Sequence, residues 1–314
     1  MRCEISNLGS ANQRINMPHF SRFYPTLALV LCLSICADAR IETIRFQSKL
    51  VNSELPYNVI LPTDYDSSPT TRYPVLYLLH GLTGHYSDWN SRTNIADYAA
   101  QYRMIIVTPE GNDGWYTDSA IVTSDKYETY ILKELIPDVQ QRYRTIEARY
   151  GRSIAGLSMG GYGSIKFGLK FPATFVFAGS MSGALGVTRL TEKEIVASGW
   201  AKSLQLFGAL DSETRKANDP FQIVNQLSQS RVSALPFFYL DCGTEDSPLI
   251  FPYNRELAIL MSEKRIPHEY RELPGDHSWG YWDKQVQEVL KIASQKMQMP
   301  PAPMVTPKVT PKPR

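Results

Sequence analysis

Short apolar runs, each closed by a glycine or a polar turn, recur along the middle of the chain: YPVLYLLHG, MIIVTPEG, YGRSIAG, TFVFAGSMSG and LPFFYLDCG. Two earlier segments, IETIRFQSKL and ELPYNVILP, and the later HEYREL also read as strands. Hydrophobicity in the five runs is continuous rather than alternating, which marks strands covered on both faces. Between them lie helix-like segments: NIADYAAQY, KYETYILKELIPDVQQRY, SMGGYGSIKFGLKF, FPYNRELAILMSEK and YWDKQVQEVLKIASQK. Strand and helix taking turns predicts an α/β fold with a mostly parallel central sheet flanked by helices. One stretch breaks the alternation. From Val187 to Arg231, including EKEIVASGWAKSLQLFGALDSETRK, no strand is evident, and a small helical insertion over the site is expected. Its Trp200, Leu204 and Phe207 are candidates for shaping a pocket.

Both ends fall outside this pattern. Arg22 precedes the apolar run TLALVLCLSIC, Thr26 to Cys36, and then comes ADA, a small-x-small sequence that predicts export and cleavage after Ala39. The run is too short to span a bilayer comfortably, so no stable membrane span is expected. The residues before Met17 are polar, and MPHFSRF makes an alternative start with a basic leader. Residues 299–314, MPPAPMVTPKVTPKPR, carry six prolines and read as an extended, solvated tail. The organisation expected is therefore 1–39 leader, 40–298 catalytic domain and 299–314 tail, with a secreted or periplasmic location. Cys3, Cys32 and Cys36 leave with the leader, so Cys242 stands alone and reads as a small buried residue.

Composition narrows the function classes. With 314 residues, 43% of them hydrophobic, the chain can bury one large core. A formal net charge of +2 provides no basic footprint for nucleic acid. The histidines are few and scattered, so neither a metal nor an organic cofactor is implied.

In a doubly wound sheet, ligands bind beyond the carboxyl ends of the strands, and four polar loops fall there: HGLTG, GLSMGG, GTED and GDHSW. Ser158 stands in G-x-S-x-G at a strand-to-helix corner, with Gly156 and Gly160 permitting a sharp turn. A serine needs a base to take its proton and a carboxylate to orient that base. Only His268 and His277 follow Ser158; His268 belongs to a strand and His277 to a loop able to reach across the strand ends. For the acid, Asp246 is preferred to Glu245 and Asp241, and Asp276 is out of order and suits a turn. Two oxyanion donors are also needed, and the backbone N–H groups of Met159 and Leu82 are best placed. His80 would support the Leu82 loop by hydrogen bonding, and His85 would face solvent.

Together HGLTGHYSDW, GNDGWYTDS, AGLSMGGYGS, CGTEDSPL and GDHSWGYWD resemble the esterase D-like family of α/β hydrolases. That family includes S-formylglutathione hydrolases, tributyrin-type acetyl esterases, feruloyl esterase domains and mycolyltransferases. The likeness runs over most of Ile41 to Lys296. It implies an α/β-hydrolase fold, with nucleophile, acid and base at Ser158, Asp246 and His277, and a substrate pocket lined by Trp115, Tyr116 and Trp279. The compact GWYTD and HSWGYW are more similar to the small-acyl members. The implied activity is that of an exported serine carboxylesterase for short, acetyl-type acyl esters or acylated carbohydrates. The resemblance leaves open an acyltransferase to a sugar or alcohol, and a thioester hydrolase of the S-formylglutathione type. A binding protein that keeps the fold without turnover is the alternative from another class.

Overall fold

The computed structural model describes residues 39–298; the expected tail and all but the last residue of the expected leader lie outside them. Eight strands build the main sheet: β1 Arg40–Ile44, β2 Tyr57–Leu61, β3 Val75–Leu79, β4 Ile105–Pro109, β5 Arg152–Leu157, β6 Phe177–Met181, β7 Phe237–Gly243 and β8 His268–Leu273. Their spatial order is β1-β2-β4-β3-β5-β6-β7-β8. β2 is antiparallel to both of its neighbours, and every pairing from β4 to β8 is parallel. The continuous apolar runs have the cause expected of them: β2 to β6 are buried along their whole lengths.

Strand alternation divides the interior into two cores. Val75, Tyr77 and Leu79 of β3 point into one core, Leu76 and Leu78 into the other. Of the three long helices, α1 Met159–Lys170 and α2 Phe251–Glu263 cover the first face, and α3 Trp279–Lys296 covers the second. The short helices Asp88–Arg92 and Ile95–Ala99 also lie over the second face. Each large aliphatic side chain buried this way contributes roughly 1.5–3 kcal/mol, so the two cores outweigh any single polar contact.

Two elements differ from the expectation. IETIRFQSKL is not one strand: β1 ends at Ile44, and Gln47–Ser48 pairs with Ser53–Glu54 in a separate two-stranded ribbon turned at Asn52, φ 54°. The segment after Lys126 runs as Tyr127–Tyr130, a π-helical turn Ile131–Leu135, and Ile136–Arg142. Pro137 has no N–H for the carbonyl four residues back and its ring would crowd it, which the wider turn relieves. The insertion is helical as expected, made of Glu192–Ala197, Lys202–Phe207, Glu213–Ala217, Pro220–Gln226 and Gln229–Val232.

The sheet order sets where a site can form. After β3 the chain crosses to β4 on one side, and it then returns to enter β5 on the other. The loops leaving β3 and β5 therefore diverge, opening a crevice at their carboxyl ends.

Candidate active site

Ser158 occupies the one-residue corner between β5 and α1, with φ 51° and ψ −115°. Held in a non-glycine residue, such a backbone costs about 1–3 kcal/mol and persists only where its surroundings enforce it. The enforcement is visible: Ser158 N–H donates to the Met181 carbonyl at 3.0 Å, and its own carbonyl accepts from Tyr162 and Ala184, both at 3.0 Å. Gly156 and Gly160 serve packing rather than the corner itself. A Cβ on Gly156 would stand 2.6 Å from the Gly160 carbonyl carbon, and one on Gly160 would stand 2.6 Å from the Leu79 and His80 carbonyl oxygens. Only hydrogen there lets α1 start hard against β3 and β5.

His277 is presented by the loop between β8 and α3, and Asp246 by the loop after β7. The Ser158 hydroxyl lies 2.9 Å from His277 Nε2, and His277 Nδ1 lies 3.0 Å from Asp246 Oδ2. A carboxylate only accepts, so Nδ1 carries the proton and Nε2 is left to accept from the serine. The Asp246 side chain is fully buried, and its other oxygen accepts the Ser247 N–H at 2.6 Å. Backbone contact fixes the two loops together: the Glu245 N–H donates to the Gly275 carbonyl at 2.9 Å, and a Cβ on Gly243 would meet that oxygen at 2.2 Å. Asp241 stays in β7 and accepts the Tyr281 hydroxyl at 2.9 Å, while Asp276 accepts the Ser278 hydroxyl at 2.5 Å. His268 lies in β8 and bonds the Ile266 carbonyl at 2.8 Å. Neither Asp241 nor His268 reaches Ser158 or His277.

The Leu82 loop is built around His80, which is fully buried. The Gly111 N–H donates to His80 Nε2 at 2.9 Å, so Nδ1 carries the hydrogen and gives it to the Gly81 carbonyl at 2.7 Å. That carbonyl and the Leu82 N–H belong to one trans peptide and point in opposite directions. Pinning the carbonyl therefore aims the N–H. Among the described residues neither the Leu82 nor the Met159 N–H has a hydrogen-bond partner. The positive end of α1 lies at the second donor. Glu110 braces the same loop, 3.3 Å from His80 Nε2 and accepting from the backbone of Asn112 and Tyr86. His85 is largely exposed, as expected, with Nδ1 3.3 Å from Glu110.

A cavity of about 550 Å³ opens over Ser158. Leu82, Ser158, His277 and Trp279 line it, and so do residues that no sequence signal singled out: Asp88, Arg92, Ser247, Leu249, Ile250 and Trp282. Asp88 and Arg92 sit one turn apart on a short helix whose pattern reads as an ordinary solvated face. The insertion contributes Ser198 and Trp200.

Trp115 and Tyr116 correct the expectation that they line the pocket. Neither touches the cavity; they are 1% and 0% exposed. Trp115 is wedged among Tyr162, Trp200 and Phe207, with ring centroids 5.8, 5.3 and 6.3 Å away. Tyr116 lies beneath the Leu82 loop and donates its hydroxyl to the His80 carbonyl at 3.1 Å. Both have left-handed backbone, φ 50° and 48°.

The family model described as "Putative esterase" matches residues 48–292. Esterase Rv1288 of Mycobacterium tuberculosis is 32% identical over 268 residues, 76% of this chain and 56% of that protein, so the chain spans little more than half its length. The acetyl esterase of Caldicellulosiruptor saccharolyticus is 27% identical over 256 residues, covering 78% of this chain and 95% of that one. Among solved structures, the fluorophosphonate-binding serine hydrolase FphF of Staphylococcus aureus matches with a TM-score of 0.71 at 26% identity, covering 82% of this chain and 99% of that one. The fold is that of the α/β hydrolases, as expected from the sequence.

Proposed function

The chain belongs to this esterase family, and from that premise we propose that it is a serine carboxylesterase for short acyl groups, working through an acyl-serine intermediate. The observation that carries the reading is the hydrogen-bonded chain from Ser158 through His277 to Asp246 at the floor of an open cavity. Ser158 Oγ attacks the ester carbonyl while His277 Nε2 takes its proton, and Asp246 stabilises the imidazolium. The Leu82 and Met159 N–H groups receive the oxyanion, each worth about 3 kcal/mol of barrier. His277 then gives the proton to the leaving alkoxide, and a water repeats the sequence on the acyl-enzyme.

The leaving oxygen must lie beside His277 Nε2, which in this reading turns the alcohol toward Trp279 and Arg92, joined to His277 through Trp282. The acyl group is left the apolar lining of Leu249, Ile250 and Trp200. A polar alcohol end fits hydroxyl-rich leaving groups such as acylated carbohydrates, and the family's acetyl esterase member supports a short acyl group. Export is part of the proposal, supported by the apolar run Thr26 to Cys36 before ADA. A mature N-terminus at Arg40 in cell-free medium or periplasm would bear that out.

The test is the initial rate on p-nitrophenyl esters from acetate to decanoate, beside Ser158→Ala. Turnover of the short esters, with kcat falling by on the order of 10⁶ in the alanine variant, is expected. An alanine variant as fast as the parent would remove Ser158 from the chemistry.

A further inference from the structure

Lys166 lies in α1, eight residues beyond Ser158, and it is fully buried. A helical lysine ordinarily reaches water, so a buried one needs partners for all three of its hydrogens. It has three: the Tyr116 carbonyl at 2.5 Å, the Thr117 hydroxyl at 2.8 Å and the Glu128 carboxylate at 2.8 Å. Glu128 is itself shared with Lys170 at 2.7 Å. The ammonium thus clasps the turn that holds Trp115 and Tyr116 in left-handed backbone.

What that turn supports is the oxyanion loop. The Tyr116 ring is clamped between Gly111 and Gly163 of α1, where an added Cβ would stand 2.5 and 2.8 Å from it. Its hydroxyl bonds the His80 carbonyl, the same oxygen against which Gly160 packs. His80 in turn holds the Gly81–Leu82 peptide. A continuous line of contacts therefore runs from Lys166 through Tyr116 and His80 to the Leu82 N–H, on the side of the loop away from substrate.

Resting on the serine-esterase reading, we propose that Lys166 and Tyr116 are positioning residues of the oxyanion site: the buried ammonium fixes the strained turn, and the tyrosine hydroxyl passes that rigidity to the peptide carrying the Leu82 N–H. Neither touches substrate. Their effect falls on the tetrahedral state, because only there does a full charge develop on the oxygen that Leu82 meets.

The experiment compares Lys166→Met, Tyr116→Phe and the double variant with the parent, every rate divided by the number of sites titrated with a fluorophosphonate. The division removes misfolded protein, which a merely structural role would produce. Expected is a loss of about 10-fold or more in kcat per titrated site, with KM within about 2-fold. The inhibition constant of phenylboronic acid, which forms a tetrahedral adduct on the serine, rises by the same factor. The double variant falls little further than the worse single variant, since both interrupt one line. Tyr116→Phe removes a single oxygen and decides the matter if Lys166→Met does not fold. Unchanged turnover per titrated site, with unchanged boronate affinity, overturns the inference while leaving the esterase reading intact. A parent that neither labels at Ser158 nor turns over ester overturns both.

Discussion

Around the strand ends, left-handed backbone falls mostly on residues that carry side chains, with Gly275 at φ 142° the exception, whereas in the helical insertion it falls on glycine. Thr83, Asn112, Trp115, Tyr116, Ser158 and Ser182 all have positive φ near the site; in the insertion Gly199 and Gly208 do, at 77° and 72°. Gly156 and Gly160 have a different use. Gly160 leaves no room for a Cβ, while Gly199 has nothing within 4 Å of one. The strand ends are the over-determined region. At the strand ends packing from β3, β5, β6 and α1 dictates the backbone, so a strained serine or tyrosine is held where chemistry needs it. At Gly199 nothing presses on the chain, and it turns there where a turn is cheap.

One added methyl group in each region should separate them most widely. Gly160→Ala gains about 1 kcal/mol of helix propensity, yet its Cβ would sit 2.6 Å from two carbonyl oxygens that cannot swing aside. Overpacking wins, costing about 3 kcal/mol or more and moving α1, Ser158 and the Leu82 loop together. Denaturant unfolding should show that loss, and kcat should fall by about 100-fold or more. Gly199→Ala should cost about 1 kcal/mol, from its positive φ alone, and leave kcat on acetate esters near the parent value. Similar losses of activity from both would mean that the insertion is as tightly coupled to the chemistry as the strand ends.

This contrast also explains what could be read from the sequence. The buried strands and the residues now found around Ser158 were legible because continuous apolar runs and motif order are local signals. The crossing of β4 outside β3 was not, since no residue pattern encodes which neighbour a parallel strand chooses. Trp115 and Tyr116 were misplaced because an aromatic pair in a glycine turn reads the same whether it faces a cavity or lies beneath one. The deciding fact is a lysine of α1 turned inward, and in sequence Lys166 looks like any solvated helix residue.

Buried carboxylates extend the comparison. In the insertion, Asp219 caps the helix Pro220–Gln226, accepting the N–H groups of Phe221 and Gln222 at 2.9 and 3.4 Å. Asp241, under the site, faces Tyr281, Tyr239 and the charge of Arg271, and burial pushes its carboxyl up to about 7 against their combined effect. A carboxyl raised on folding favours the folded state fully below its unfolded value near 4, and that contribution is lost as pH rises toward 7. Asp241→Asn should therefore destabilise more at pH 4.5 than at pH 8, by an amount capped at roughly 4 kcal/mol. Urea unfolding of parent and variant at the two pH values measures it. A difference independent of pH would mean that Asp241 does not titrate in this range.

The smallest effect is expected where the two regions meet. Trp200 belongs to the insertion, lines the cavity and packs edge-on against Trp115 at 5.3 Å. Among the described residues it has no hydrogen bond or ring contact with Ser158, His277, Asp246, Leu82 or Met159. Trp200→Ala should remove an aromatic contact worth about 1 kcal/mol and open the acyl end of the cavity. If the strand ends set the chemistry and the insertion sets what fits, kcat/KM on acetate esters changes by about 2-fold at most. On decanoate it rises by about 10-fold, the discrimination that a single apolar wall supplies. The ratio of the two is the reading that matters, because a general loosening would lower both. A parallel fall across all chain lengths would move Trp200 from the selection of substrate to the support of Trp115, and with it the boundary between the two regions.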